Sequence, residues 1–324
     1  MPVDQLIKGL SPVLGCSKSQ SGMTETLIIL GDSLADSGNT ASLLSLIGLN
    51  PFADEIYDNG GNVKASDGPV LGEHVALEIG ADINNAQLFS VLSGNTPSPA
   101  HIHNYAHAGA RTGSDPGYSI PFLGRISIGL RDQIRQVEAR SNYYLEHEDI
   151  DVLLSCGGND LLDIMDKTKE SYSVTKAVIK TKALNDDRKM ANEIVKPIFR
   201  NLKSAIRKLG DYVDEIAVLG APPIVETPDA QDWITDFPNK HQARASNFLS
   251  LASNKLQRKL EKKYDAIEAI AVINSVDLWQ QLEQPDFVDT IHPSSNTSSE
   301  LAKLLNQEIP ELFDSYGFNT FYTF

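Results

Sequence analysis

The stretch "TLIILGDSLADSGN" (26–39) joins a continuous apolar run to a polar turn. A run without alternation is typical of a strand that is covered on both faces, as in a parallel sheet. The run stops at Gly31, and Asp32, Ser33 and Asp36 follow directly in the turn. The stretch therefore predicts a buried parallel strand that delivers a serine between two acids at its carboxyl end.

More runs of this kind follow along the chain, at 151–156, 215–220 and 267–273. Apolar residues recur with helical spacing at 191–209 and 241–263, and a further helix is predicted between Pro69 and Gly80. Strands that alternate with helices predict an α/β fold with a doubly wound parallel sheet and right-handed crossovers. The polar segment 166–190 fits a helix without a definite place in this scheme.

Composition and charge narrow the possible partners. The chain has 324 residues, with 28 Lys plus Arg against 43 Asp plus Glu, and its formal net charge is −15. Such a chain repels phosphate backbones, which argues against nucleic acid as a partner. No stretch approaches the ~20 apolar residues of a membrane-spanning helix. The cysteines Cys16 and Cys156 are too few for a disulfide framework, so the fold depends on its core.

Further polar turns follow predicted strands or precede a predicted helix. They are "NYAHAGART" (104–112) after a short strand at 103–106, "GGND" (157–160), and "DTIHPSSN" (289–296) before a helix at 297–309. In doubly wound sheets the functional loops lie at the carboxyl ends of the strands. Together with the first turn, they offer a serine, a glycine, an asparagine and an Asp-x-x-His pair.

These residue types form a chemically complete set. A serine hydroxyl is a weak nucleophile and needs a base within hydrogen-bond distance. A histidine can be that base, while a carboxylate orients its ring and stabilises the imidazolium. The oxyanion formed on attack at a carbonyl needs preorganised donors, and a glycine N–H, an asparagine amide and the serine's own N–H supply three. The set predicts nucleophilic attack by a serine on a carbonyl carbon.

With these motifs the chain resembles the GDSL esterase/lipase family, whose members are also called SGNH hydrolases, from about residue 25 to about residue 309. The resemblance implies that the nucleophile is Ser33, that the oxyanion donors are the N–H of Ser33, Gly109 and Asn159, and that the catalytic pair is Asp289 and His292. Asp32 is interpreted as a supporting residue that orients the nucleophile turn. The segments 66–76 and 220–230 resemble the larger lipase and phospholipase branch of the family.

The resemblance also implies a fold and an activity. The expected fold is a three-layer α/β/α domain with a short parallel sheet, of the flavodoxin-like type. The expected reaction is hydrolysis of a small-molecule or lipid carboxylic ester, with no metal and no organic cofactor. Two alternatives stay open: acyl transfer to an alcohol or sugar acceptor, and a non-catalytic module that binds an ester or glycan. The chain departs from the usual pattern at Ala108, where a glycine is usual, and at His107, where a small or apolar residue is usual.

Several candidates have a simpler structural interpretation. Asp36 is expected to cap a helix at 34–45 rather than to take part in chemistry. Asn159 could be a turn residue in left-handed geometry, and His292 could belong to a helix start before Pro293. Asp286 is the rival of Asp289 for the orienting role, and the motif spacing favours Asp289.

The histidines His101, His103 and His107 match no compact zinc signature. They occur in a stretch rich in Gly and Pro, and a surface loop is the favoured interpretation. No metal site is predicted there.

The chain is divided into an N-terminal extension at 1–22, an SGNH-hydrolase domain at 23–312 and an aromatic C-terminal tail at 313–324. No convincing signal peptide is recognised, so the expected location is cytoplasmic, or secreted by a non-classical route. The sequence predicts no oligomeric state.

Overall fold

The computed structural model describes residues 26–57, 63–85, 102–114, 118–120, 124–126, 128–145, 149–181 and 184–310. The predicted N-terminal extension (1–22) and aromatic tail (313–324) lie outside the described residues. The domain boundaries set by those two segments therefore stay predictions.

The described residues form eight strands. They are β1 (Thr26–Gly31), β2 (Ile83–Asn85), β3 (Ile102–Asn104), β4 (Tyr118–Ile120), β5 (Gly124–Ile126), β6 (Ile150–Ser155), β7 (Glu215–Leu219) and β8 (Ile270–Ile273). Six of them make one parallel sheet in the order β2-β3-β1-β6-β7-β8, while β4 and β5 form a separate antiparallel pair. Without the edge strand β2, the order in terms of chain position is 2-1-3-4-5, which is the flavodoxin-like order.

Helices connect the strands. They are α1 (Asn39–Ser45), α2 (Leu71–Glu78), α3 (Leu130–Ala139), α4 (Ser141–Leu145), α5 (Gly158–Leu162), α6 (Glu170–Thr181), α7 (Leu184–Leu209), α8 (Pro228–Thr235), α9 (Asn239–Tyr264), α10 (Ser275–Gln281) and α11 (Ser295–Glu308). Short 3₁₀ helices cover Glu55–Tyr57 and Ile224–Glu226. None of the helices in these ranges is long and apolar enough to cross a bilayer.

The sheet is covered on both faces, which explains why β1 is apolar without alternation. Ile28 and Leu30 belong to one buried cluster, which includes residues of α3, α7 and α9. Leu27 and Ile29 belong to a second cluster, on the side of α2, α10 and α11. All four side chains are buried. The predicted three-layer α/β/α fold is confirmed.

The structure confirms the predicted strands and long helices but shifts several of their boundaries. The strand expected at 267–273 begins only at Ile270, and the helix expected at 191–209 begins already at Leu184. The helix expected at 34–45 begins only at Asn39. The Asp36 carboxylate accepts hydrogen bonds from the N–H groups of Gly38, Asn39 and Thr40, at 2.7 to 3.2 Å. Asp36 therefore caps the start of this helix with its side chain, but the N-cap residue is Gly38, and the turn before the helix is longer than expected.

Candidate active site

The end of β1 is held at a fixed place between its neighbours. A Cβ on Gly31 would lie 2.3 Å from the carbonyl oxygen of Ser155 on β6, so only glycine fits. The buried amide of Gln133 on α3 accepts from the N–H of Gly31 at 2.9 Å and donates to its carbonyl at 2.7 Å. Both backbone groups of Gly31 are thereby satisfied, and Ser33 follows at a defined position. No motif in the sequence indicates this role for Gln133.

Hydrogen bonds to Asp32 shape the turn that carries Ser33. Asp32 accepts from the N–H of Leu34 at 3.2 Å through its side chain, while its carbonyl accepts from the N–H groups of Ala35 and Asp36. Ser33 is buried, with 8% of its surface exposed. Within the described residues its N–H donates no hydrogen bond, so this donor is available to a ligand.

Gly109 lies in a turn that is fastened to the first one. Its φ is +79°, a left-handed conformation that favours glycine. The preceding N–H, of Ala108, donates to the Asp36 carboxylate at 2.8 Å and to the Thr40 hydroxyl at 2.9 Å. No described residue accepts a hydrogen bond from the N–H of Gly109. Asp36 therefore joins the serine turn to the glycine turn.

Asn159 lies in the first turn of α5, directly after β6. Its amide nitrogen donates to the carbonyl of Ala110 at 3.0 Å. An amide nitrogen carries two protons, so this bond orients the group and leaves one proton for a ligand. The alternative of left-handed geometry is wrong, because Asp149 is the one non-glycine residue with positive φ in the described ranges.

Two acidic residues, Asp160 in α5 and Asp163 directly after it, connect this helix to the chain after Gly109. Asp160 accepts from both the N–H and the hydroxyl of Thr112 at 2.9 Å. Asp163 forms an ion pair with Arg111 at 2.9 Å. These contacts fix the helix that carries Asn159 relative to the glycine turn.

His292 and Asp289 form a hydrogen-bonded pair in the turn before α11. His292 Nδ1 lies 2.6 Å from Asp289 Oδ2, and both side chains are about four-fifths buried. The other carboxylate oxygen accepts from the N–H groups of Ile291 at 2.7 Å and His292 at 2.6 Å. Burial pushes the pKa of Asp289 up, but these hydrogen bonds and the charge of His292 outweigh it and hold the pKa well below its usual range. Asp289 is therefore an ionised acceptor at neutral pH.

Asp286, the other candidate for the orienting role, makes a different set of hydrogen bonds. Asp286 accepts from the hydroxyls of Ser294 and Thr297, with Thr297 at 2.6 Å, at the start of α11. Those hydrogen bonds lower its pKa. The geometry thus pairs His292 with Asp289 and leaves Asp286 as a helix-start residue.

Four of the candidate site residues line one cleft: Asp32, Ser33, Asn159 and His292. Its apolar wall consists of Leu34, Leu162, Pro222, Ile224 and Ile291. The cleft contains about 370 Å³ of empty space, open solvent included. Gly109 is not among the residues that line it. Within the described residues, no hydrogen bond joins Ser33 to His292.

The interpretation of the histidines as a surface loop is wrong for the two that the structure describes. His103 lies on β3 and His107 lies just beyond it. Both are buried, with 1% of their surface exposed. His103 Nδ1 is 2.8 Å from the Tyr144 hydroxyl, and burial lowers the pKa of His107 against the opposing charge of Asp36. His101 lies outside the described residues. Across the described ranges, no group of three or more His, Cys, Asp or Glu side chains is placed to hold a metal ion.

Asp32 gives the site a dependence on pH. Burial raises its pKa from 3.8 to about 7, and the neighbouring Asp160 adds to the rise, while the Leu34 N–H and the charge of His292 act against it. Between pH 3.8 and 7 the folded chain keeps a proton that the unfolded chain loses. The contribution of Asp32 to stability is therefore present at low pH and is lost as the pH rises through 7.

We expect Asp32→Asn to gain stability relative to the natural chain as the pH rises. Asparagine keeps an oxygen for the Leu34 N–H but does not titrate. From pH 5 to pH 8, the free energy of unfolding of the variant should increase by about 2–3 kcal/mol relative to that of the natural chain. Urea unfolding of both chains at the two pH values measures it. Asp211→Asn is the control, because it removes a carboxylate at an exposed position. A difference between Asp32→Asn and the natural chain that does not change with pH would contradict the burial effect at Asp32.

Comparison with known proteins assigns the chain to a family. An α/β fold that brings a serine and an asparagine from turns after strands together with an Asp–His pair from the turn before α11 has the arrangement of a serine hydrolase. A family model described as GDSL-like Lipase/Acylhydrolase matches residues 27–305. The chain belongs to this family, and it is a carboxylic ester hydrolase. A comparison with curated proteins found no match.

Solved structures with similar overall topology include other ester hydrolases. The lipase Lip_vut3 from a goat rumen metagenome is 12% identical, with 88% of this chain and 97% of that chain covered and a TM-score of 0.46. The extracellular lipase of Streptomyces rimosus is also 12% identical, with coverages of 88% and 99% and a TM-score of 0.44. The acetylxylan esterase Axe2 of Geobacillus stearothermophilus is 13% identical, with coverages of 89% and 95% and a TM-score of 0.38. The assignment rests on the family match and not on these similarities.

Proposed function

We propose that the chain hydrolyses esters through an acyl-enzyme on Ser33, with His292 as general base and Asp289 as the residue that orients it. The observation that supports these roles most directly is the Asp289–His292 pair at the cleft that Ser33 and Asn159 also line. An ionised carboxylate can only accept a hydrogen bond, so His292 carries its proton on Nδ1. Nε2 then has a free lone pair for the serine proton.

The reaction follows from these protonation states. The Ser33 oxygen attacks the ester carbonyl while Nε2 of His292 takes its proton. The oxyanion is stabilised by the N–H groups of Ser33 and Gly109 and by the Asn159 amide. His292 then protonates the departing alcohol, and it later takes a proton from the water that cleaves the acyl-enzyme. The gap between Ser33 and His292 is expected to close on substrate binding, because catalytic hydrogen bonds are often long without substrate.

The lining of the cleft suggests the kind of acyl group that is accepted. The wall contains Leu34, Leu162, Pro222, Ile224 and Ile291, and no Lys or Arg occurs among the described residues that line it. An acyl chain with a terminal carboxylate would lose hydration there without gaining a partner. The chain's net charge of −15 adds a general repulsion. We therefore propose uncharged, apolar acyl groups as substrates.

The test is a panel of p-nitrophenyl esters with acetyl, butyryl, octanoyl and hemisuccinyl groups. We expect kcat/KM for the hemisuccinate to be lower by about tenfold or more than for the butyrate, since an unpaired buried charge costs at least ~1.4 kcal/mol. Spontaneous hydrolysis of each ester is subtracted as the control. A hemisuccinate turned over as fast as the butyrate would contradict the apolar acyl site. The same assay with added glycerol should still give free acid as the main product, and a predominant glyceryl ester would favour the acyltransferase alternative.

A further inference from the structure

Tyr57 contacts the Asp289–His292 pair from a distant part of the chain. Its hydroxyl donates to Asp289 Oδ2 at 2.6 Å, the same oxygen that lies 2.6 Å from His292 Nδ1. Tyr57 ends the 3₁₀ helix Glu55–Tyr57 and is half-buried. It is 232 residues away from Asp289 in sequence, and no motif in the sequence indicates this contact.

The hydrogen bonds of Asp289 show what Tyr57 adds. Three of the four donors on the carboxylate come from the turn 289–292 itself: the N–H groups of Ile291 and His292 on Oδ1, and the His292 ring on Oδ2. The phenol of Tyr57 is the fourth donor and occupies the second lone pair of Oδ2. It is the one donor from outside the turn in the described part of the chain. The carboxylate is therefore held from two independent directions.

We propose that Tyr57 is a positioning residue of the catalytic pair, which acts by donating a second hydrogen bond to the Asp289 oxygen that orients His292. This inference rests on the proposed roles of Ser33, His292 and Asp289. Tyr57 is not among the residues that line the cleft of Ser33 and His292, so its effect is expected to pass through Asp289.

Two physical consequences follow from a shared acceptor oxygen. First, the phenol restricts rotation of the carboxylate and so keeps the imidazole in the plane that directs Nε2 toward the serine. Second, a donor on Oδ2 draws negative charge away from the bond to Nδ1, which makes Asp289 a weaker partner for the imidazolium. Without the phenol, the charge on Oδ2 is concentrated on His292, and the ring holds its extra proton to higher pH.

The environment of Tyr57 keeps it in the donating state. Burial raises the pKa of its phenol well above the usual value, and the hydrogen bond to Asp289 and the charge of Asp289 raise it further. The hydroxyl stays protonated across the range in which an esterase is assayed. The ring also packs edge to face on Phe52, with centroids 5.6 Å apart. A purely structural role would depend on this ring packing rather than on the hydroxyl.

The variant Tyr57→Phe separates the two roles, because phenylalanine keeps the ring and deletes only the O–H. If the hydrogen bond positions Asp289, kcat on p-nitrophenyl butyrate should fall by about tenfold with little change in KM. The acid limb of the kcat/KM profile should move up by about half a pH unit. The melting temperature should change little. The matched control is Tyr172→Phe on α6, which removes the hydroxyl that accepts from Lys176 at 2.7 Å, away from the cleft.

Asp289→Asn provides a second test through a double-mutant cycle. If Tyr57 acts through the carboxylate, the effect of Tyr57→Phe should shrink to less than about twofold in the Asp289→Asn background, because the charged acceptor is gone. Equal effects in both backgrounds would mean that Tyr57 acts elsewhere, and they would overturn the proposal.

A measurement without turnover distinguishes a failure of this inference from a failure of the proposed function. The His292 Nδ1 proton, in its short bond to Asp289, should give a low-field proton resonance at low temperature that His292→Ala abolishes. Tyr57→Phe should move this resonance further downfield, since Oδ2 becomes a stronger acceptor. An unchanged kcat, pH profile and resonance in Tyr57→Phe would overturn the inference and leave the esterase intact. Absence of Ser33-dependent ester cleavage in the natural chain would instead refute the proposed function.

Discussion

Ser33→Ala is expected to lower kcat for ester cleavage by about 10⁴–10⁶ and to abolish labelling by a fluorophosphonate probe. Ser33 is the nucleophile in the proposed mechanism, and alanine removes the oxygen that forms the acyl-enzyme. The N–H of residue 33 and the other oxyanion donors remain, so weak binding of the ester should persist. Steady-state kinetics and intact-mass measurement of the labelled protein test this expectation.

Ser42→Ala is the matched control for this substitution. Ser42 lies on α1, a short distance along the chain, and is exposed. It should keep the kinetics and the labelling of the natural chain. In the natural chain, peptide mapping should place one probe on the peptide that contains Ser33. A probe that still labels Ser33→Ala at another serine would remove Ser33 from the nucleophile role.

Asn159→Ala is expected to lower kcat by about 10²–10³ with little change in KM, since an oxyanion donor acts mainly in the transition state. Alanine suits this position because Asn159 lies in the first turn of α5 and not in a left-handed turn. The variant also loses the hydrogen bond to the carbonyl of Ala110, which should lower stability by about 1 kcal/mol. Kinetics on a short ester and thermal melting, measured on the same preparation, separate the two effects.

Asn201→Ala is a fitting control for the loss of a half-buried amide. The Asn201 amide donates to the Thr112 hydroxyl at 3.2 Å, and Asn201 does not line the cleft. A similar small loss of stability with unchanged kcat is expected there. If Asn159→Ala keeps the natural kcat, Asn159 serves only to join α5 to Ala110, and the N–H groups of Ser33 and Gly109 remain as oxyanion donors.

The fold was largely predictable because its signals are local. A strand covered on both faces needs apolar residues at every position, and the run at 26–30 shows this directly. The start of the helix expected at 34–45 was misplaced for a local reason as well. The expectation treated Asp36 as a residue that opens the helix, whereas Asp36 lies in a longer turn and caps the helix from there. The segment 166–190 was ambiguous because it includes the end of one loop, α6 and the beginning of α7.

The buried histidines show where a prediction of exposure from neighbouring residues in the sequence fails. Neighbouring Gly and Pro residues suggested a surface loop, but His103 is part of the central sheet and contacts Tyr144. Whether an imidazole is exposed depends on which side chains cover it, and those side chains belong to other elements. The sequence contained no signal for that contact.

The sequence by itself determined the alternation of buried parallel strands with helices, the turns that carry the candidate residues, and the pair Asp289 and His292, since a carboxylate and an imidazole three residues apart can meet within one turn. Only the tertiary structure decided which groups hold those turns. Gln133 satisfies the end of β1, Asp36 links the serine turn to the glycine turn, and Tyr57 reaches Asp289 across the chain. The physical reason is that hydrogen bonds between distant segments depend on positions fixed to within a fraction of an ångström. Residue types and spacing along the chain do not carry that information.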